Sequence, residues 1–351
     1  MAQLIVAPNQ TNGLNYMPKM IKLADGSEFE LNDAITRIQD SGTVVLNDDD
    51  AVFFQRQLEF IEAQTYDTLY PELEARAAFG VDTTGGPGVN TLTYRSYNHV
   101  GKAQVINARA TDLPKSSISG KEYSVTVKSV GTAFDYDIDE VAAAAVTGLP
   151  LETRKANAAI RGYEQYVNSA AWYGDAANGF VGFFENPDIT KATVAAGAGG
   201  STKWAEKTPT EVIADLTTAV SAMYASTLKI MRPDEIWMPV EHEQYIFNTA
   251  RSEQSDKTIG QFFIDNNQFI NKREKIKGLN AIKGHGASGS DCFVVVCRQA
   301  MGNRTFRLRE PLALTWQPVQ LHGLIYEVPG RGRFAGFQTM YPAAISINSG
   351  I

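Results

Sequence analysis

The sequence predicts an α+β fold with a projecting arm, and three observations carry that expectation. Two strand-like runs, 92–97 continuing through 105–106 and then 123–128, flank a polar stretch at 108–121. A long Ala-rich amphipathic segment, 151–173, follows them. Past an Ala/Gly/Ser-rich stretch at 191–207, helical and strand-like spacings alternate to about residue 308, and short strand-like runs continue to 347. Apolar spacing of 3.6 or of 2 residues is the primary signal for each element.

In chain order, residues 1–46 mix polar and apolar with little periodicity and read as an extended arm. The acidic run 47–50 offers helix caps and negative charge at a helix start. Phe54, Leu58, Ile61 and Thr65 then repeat at helical spacing. Residues 70–73 read as a short helix or turn, and Gly85-Gly86-Pro87-Gly88 as a loop. The second hairpin run alternates cleanly, Tyr123-Ser124-Val125-Thr126-Val127-Lys128. Asp137-Ile138-Asp139-Glu140 heads a helix at 141–146, closed by Gly148-Leu149-Pro150. The segment 151–173 carries a stripe of Leu151, Ala159, Tyr163, Tyr166, Val167 and Ala170, and as a helix spans roughly 35 Å. Gly162 within it is expected to admit another element at close approach, because glycine there costs about 1 kcal/mol against alanine. Thr208-Pro209-Thr210-Glu211 reads as a helix start with proline at the first helical position. A short strand at 235–239 runs into a helix at 240–249. Strands are expected at 293–297 and 306–308, and in the tail at 313–316, 324–328, 336–340 and 345–347.

A polar-tipped hairpin of this length is marginal alone in water. It is therefore expected to rest on a neighbouring copy of the same chain. Candidate assembly residues are Arg95, Lys102, Lys115, Lys121, Val125 and Val127 on the arm, with Arg154, Arg161 and Glu164 on the helix face. Replacing Val125 and Val127 by Asp is expected to block association and spare the fold.

Composition bounds the function. With 44% hydrophobic and 20% charged residues over 351, the chain can bury a sizeable core. A net charge of −7 argues against sequence-specific DNA binding, which wants a basic surface, but not against a shell around nucleic acid. The N-terminus lacks a signal-peptide pattern and no window reaches ~18 apolar residues, so a soluble intracellular product is expected. Cys292 and Cys297 lie five apart in one strand, on opposite faces, and read as two buried thiols.

The search for catalytic chemistry finds no assembled site. Four scattered histidines make no metal-ligand spacing, and there is no P-loop and no Gly-x-Ser-x-Gly. His242 reads as part of a solvated helix face. Gly284-His285-Gly286-Ala287-Ser288-Gly289 formally matches a dinucleotide fingerprint, but a strand follows it where a helix is required, so a loop is expected. Asp135, Asp137 and Asp139 would share a strand face and could hold a cation. The clusters at 272–277 and at Arg331-Gly332-Arg333 read as solvated faces or intersubunit salt bridges. No cofactor or metal is expected.

Several stretches resemble the major capsid proteins of tailed bacteriophages, whose Hong Kong 97-type fold is shared by encapsulin shells. They are Ile138-Asp139-Glu140-Val141-Ala142-Ala143-Ala144 ahead of the long helix and Ala170-Ala171-Trp172-Tyr173-Gly174-Asp175 with Gly179-Phe180-Val181-Gly182-Phe183 at its end. The closing run 333–345 and the order arm, extended loop, long helix also match. The resemblance implies an N-terminal arm (1–50), an N-terminal helix opening a peripheral domain (51–90) and an extended loop (91–137). It further implies a peripheral domain with the spine helix (138–204), an axial domain (205–306), peripheral strands (307–337) and a return to the axial domain (338–351). It implies copies of the chain as partners in pentamers and hexamers, with portal and scaffolding proteins and a decoration protein. DNA is enclosed without sequence-specific binding, there is no membrane, and the location is the virion after assembly in the host cytoplasm. No scaffolding-like segment is read ahead of the domain. Two other readings stand beside this one: an encapsulin-type compartment, distinguished by an enzyme cargo, and a nucleotide-cofactor enzyme using 284–289, distinguished by cofactor titration.

Overall fold

A computed structural model of the chain describes residues 20–22, 28–30, 70–105, 113, 115–147 and 151–351. The chain divides into two units, Met1–Tyr70 and Pro71–Ile351. In the first, β1 (Met20–Lys22) pairs antiparallel with β2 (Glu28–Glu30), Ile21 opposite Phe29. The acidic caps at 47–50, the helix bearing Phe54 to Thr65 and the remainder of the expected arm lie outside the described residues.

The second unit is built on a five-stranded mixed sheet in the order β7 (Thr190–Thr193), β18 (Ile345–Ser349), β10 (Cys292–Val296), β8 (Glu235–Met238), β9 (Ile276–Gly278). The central strand β10 is antiparallel to both neighbours and buried along its whole length. Its β-branched sequence suits a strand covered on two faces. Alternation sends Cys292, Val294 and Val296 into one core and Phe293, Val295 and Cys297 into another. The two thiols are thus free, buried and on opposite sides of the sheet, as their spacing requires. Burial pushes the Cys292 thiol up to about 12, which keeps it a packing group rather than a nucleophile. Strand β7 is polar and short, so no alternation marks it, and it precedes the boundary expected at 205.

Three helices cover the second face: α4 (Pro209–Ser226), α5 (Val240–Asn248) and α6 (Ile259–Asn266). Helix α4 starts where Glu211 reaches back to accept from the Thr208 amide at 2.8 Å and its hydroxyl at 2.9 Å. Its buried stripe is Val212, Leu216, Ala219, Val220 and Met223, the spacing read from sequence. Thr258 and Gln261 cap α6 in the same way.

The other face meets an aromatic core around Trp172, near the end of the 23-residue helix α3 (Leu151–Tyr173). Phe79 from α1 (Ala75–Phe79) lies 4.5 Å from the Trp172 ring, with Phe183, Phe184 and Trp237 at 5.4, 5.8 and 6.2 Å. After Gly174 the chain doubles back, and the amides of Phe183 and Phe184 donate to the carbonyls of Ala171 and Trp172. Those are carbonyls a helix C-terminus leaves unpaired. The return requires glycine at 182, where a Cβ would run into the backbone of Tyr173 and Gly174.

The remaining strands form smaller sheets. Strand β13 (Phe306–Arg309) lies between β17 (Gly336–Thr339) and β3 (Val81–Asp82). Strand β16 (Ile325–Phe334) pairs with β14 (Leu312–Trp316) and β15 (Gln320–His322) on one side. On its other side β16 pairs over ten residues with β6 (Lys128–Asp137). Helix α2 (Ile138–Thr147) follows β6, and Asp137 caps it by accepting from the Glu140 amide at 2.8 Å. Asp139 therefore sits in a helix and shares no strand face with Asp135 and Asp137. Among the described residues no cluster of His, Cys, Asp or Glu could hold a metal ion, and no helix is long and apolar enough to cross a membrane.

Candidate functional site

The arm is β4 (Thr91–Val100) paired antiparallel with β5 (Ser117–Thr126), Thr91 opposite Thr126 and Val100 opposite Ser117. The first strand ends at Val100, short of the 105–106 expected, while the second runs further toward the tip than the alternation indicates: residues 117–121, read from sequence as tip, are strand. They are Ser, Ile, Ser, Gly and Lys, and cross-strand pairing rather than apolar alternation holds them. At the other end the hairpin stops at Thr126, and Lys128–Asp137 belongs to the sheet with β16 instead.

Among the described residues, the hairpin meets the body at its root. Leu92, Tyr94 and Val125 are half-buried, while every residue of β4 from Arg95 onward and of β5 up to Ser124 is exposed. Tyr94 stacks on Tyr123 at 5.0 Å, and its hydroxyl donates to the Thr339 carbonyl at 3.4 Å. Beyond that, one ribbon face carries Tyr97, His99 and Ile118, with Tyr97 59% and Ile118 65% exposed. The Tyr97 ring lies against Gly120 on the opposite strand, covering the position that lacks a side chain.

The sequence-derived candidates fall into three groups. Arg95, Lys102, Lys115 and Lys121 are exposed on or beyond the ribbon. Arg95 pairs with Glu122 across the strands at 2.6 Å, and Lys121 sits 5.7 Å above the Tyr123 ring. Both members of the Arg95 pair are well exposed, so the bridge contributes little. Val125 is half-buried at the root, and Val127 is 5% exposed within its own chain, outside the hairpin. An Asp at 127 would break the body itself, so the paired valine substitution does not isolate association. Tyr97 and Ile118 are exposed apolar residues of the ribbon itself, and they lie outside the alternating 123–128 run. On α3, Arg154 is exposed and Arg161 half-buried, while Glu164 pairs with Arg76 of the same chain at 3.0 Å.

A second exposed apolar group joins parts distant in sequence. The Ile138 amide donates to the Leu324 carbonyl at 3.2 Å, which brings α2 beside the β15–β16 turn. Ile138, Val141, Leu321, Leu324 and Ile325 are 43–71% exposed there. Contiguous exposed apolar surface marks interaction sites.

Other expectations are revised by the geometry. His242 is not on a solvated face: its Nε2 lies 3.0 Å from Asp291, and its ring meets Trp204 edge-on at 5.5 Å. The 284–289 segment leads into β10 without an intervening α-helix, and the Gly284 amide donates to Asp291 at 2.8 Å. Among the described residues Gly162 meets no close neighbour, since a Cβ there would have nothing within 4 Å. It lines a cavity of about 460 Å³ with Lys128, Val130, Thr132, Tyr166 and Asn178. Gly162→Ala should therefore raise the unfolding free energy by roughly 1 kcal/mol in urea titrations.

Beneath the sheet of β13 lies a buried polar network. Arg309 and Arg307 both reach Asp82, and Arg309 donates to Gln338 at 2.7 Å. Glu310, fully buried, accepts from the Tyr163 hydroxyl and pairs with Arg76, both at 2.9 Å, while its Oε2 finds no partner among the described residues. Burial pushes the Glu310 carboxyl above the usual range, with Arg76 and the Tyr163 hydroxyl pulling the other way. A folded-state pKa raised above the unfolded one stabilises below the unfolded value, and that contribution is lost as pH rises through the raised pKa. Glu310→Gln, which cannot ionise, should gain stability relative to the parent between pH 5 and pH 8. Urea midpoints at the two pH values check this, and a relative loss at pH 8 would contradict it.

Comparison with known proteins bears on the whole architecture. A family model described as major capsid protein matches residues 101–351. Among solved structures, the capsid of Myoviridae phage XM1 superposes with a TM-score of 0.69 at 14% identity, covering 86% of this chain and 99% of that one. The capsid of a native GTA particle gives 0.56 at 12% identity, with 87% and 99% covered. Mycobacterium phage Bobi gives 0.54 at 12% identity, also with 87% and 99% covered. No curated protein sequence matches. At these identities the superpositions speak to the fold, a mixed helix-and-sheet capsid architecture. The family match spans well over half the residues, and the chain belongs to the major capsid protein family.

Proposed function

We propose that this chain is the shell-forming subunit of a tailed bacteriophage. Copies associate as pentamers and hexamers into a closed icosahedral shell around the double-stranded DNA genome. The observation that carries the reading is the ribbon: its described residues from Arg95 to Ser124 are exposed on both faces, carry Tyr97 and Ile118, and are left uncovered by the other described residues. Obligate interfaces of this kind bury on the order of 2,000 Å² or more. In this reading the spine helix and the 307–337 strands serve a peripheral domain. Residues 205–306 with 338–351 serve an axial one that meets its copies around the symmetry axes.

The net charge of −7 suits a container that must not cling to its contents, since strong phosphate neutralisation would impede packing and release. Portal and scaffolding proteins, and a decoration protein, complete the proposed partners, with assembly in the host cytoplasm and residence in the virion. The test is the content of particles purified from producing cells. Nuclease-protected double-stranded DNA is expected. Shells loaded with an enzyme and free of DNA would instead indicate a protein-storing compartment.

A further inference from the structure

The sequence places Arg333 in a basic cluster expected at the surface, yet it is 5% exposed, and only Arg331 of the pair is at the surface. Its Nη1 donates to the Pro87 carbonyl at 2.7 Å. Its Nη2 donates to Asn90 Oδ1 at 2.8 Å and reaches the Val127 carbonyl at 3.5 Å. Asn90 immediately precedes the hairpin and Val127 immediately follows it, and the Val127 amide donates to the Asn90 carbonyl at 2.8 Å. Among the described residues no carboxylate pairs with this buried guanidinium, so both strands at the root supply its compensation. The strand that carries it is held on two sides, Arg333 standing opposite Ser129 of β6 and Leu312 of β14. It is a rigid mount gripping the two points through which the arm leaves the body.

Past this grip, and among the described residues, the Tyr94 hydroxyl also ties the ribbon to the body through the Thr339 carbonyl. A ten-residue strand is a lever of about 33 Å, so a 10° swing at the root displaces the tip by roughly 6 Å. That exceeds the range over which packing contacts tolerate error.

We propose that Arg333 is the positioning residue of the arm: it locks Pro87, Asn90 and Val127 together and so fixes the pitch at which the hairpin meets the next copy. The inference rests on the assembly reading above for its consequence and on geometry alone for the lock. Releasing the lock lets an intact ribbon swing, and the copies then close with mixed curvature.

The test uses the full chain with Arg333→Gln, Asn90→Asp and Asn90→Ala, read by hydrogen exchange and by electron microscopy of assembled particles. In R333Q the amides around 90 and 127 should exchange faster by about tenfold or more, as loss of charge-assisted bonds implies. Those of 292–296 should not change, and particle diameters should broaden or open sheets appear. N90D places a carboxylate on the guanidinium and should slow root exchange while keeping particles uniform. Should R333Q also loosen 292–296, N90A decides, because Asn90 is exposed and its loss should loosen the root alone. Unchanged root exchange in R333Q and N90A overturns the lock, and a loosened root with uniform shells overturns its role in pitch. If the parent chain forms no shells, the assembly reading falls, while root exchange still judges the lock.

Discussion

Excising residues 96–121 and joining Arg95 to Glu122 through Asn-Gly should leave a folded chain that no longer builds shells. The turn suits a two-residue hairpin, so the stub Thr91–Arg95 against Glu122–Thr126 keeps its register. Residues described within the excised stretch are exposed, and none belongs to either core. Removing them should change the unfolding free energy by no more than about 0.5 kcal/mol, the range of surface changes away from special features. Assembly, by contrast, loses Tyr97, Ile118 and the whole ribbon area at once. Sedimentation velocity should show the parent as a fast boundary of shells and the excised chain as small species. A fast boundary of equal amplitude from the excised chain would show that the arm is dispensable.

Trp172→Ala should be the most destabilising single substitution. Trp172 is fully buried, and rings from α1, β8 and the 183–184 return converge on it. Its Nε1 has no hydrogen-bond partner, so the loss is one of packing and cavity formation rather than of a polar bond. Truncating such a residue costs about 3–5 kcal/mol, against a total stability of roughly 5–15 kcal/mol for a domain. Low soluble yield and a large fall in the urea midpoint are expected. Val181→Ala, at a half-exposed neighbour, should barely move it. A loss below about 1 kcal/mol at Trp172 would mean that the aromatic cluster collapses around the void.

Local signals were legible where the chain answers them locally. The Thr208–Glu211 cap, the α4 stripe and the opposed cysteines of β10 need only nearby residues, and each lies where its spacing indicates. Strands held by their partners were not legible. Thr190–Thr193 is polar and finds its place beside β18, and 117–121 finds its place opposite β4. Period-2 spacing also cannot tell a side chain that enters its own core from one left at the surface: Val127 proves buried while Ile118 is exposed. The polar network was beyond reach for another reason. Arg76 and Glu310 are 234 positions apart, and Arg309 and Asp82 are 227 apart. Nothing in either local sequence names its partner. Arg333 shows the same limit, since a basic triplet at 331–333 reads as surface until the fold buries its last member.

The most direct measurement is a cryo-electron microscopy reconstruction of particles assembled from the purified full chain. The expected result is a closed shell in which Tyr97 and Ile118 are covered by the next copy while the Arg333 grip on Asn90 and Val127 stays intact. A chain that stays small at every concentration and ionic condition, or a shell whose ribbons stand free in solvent, would contradict it.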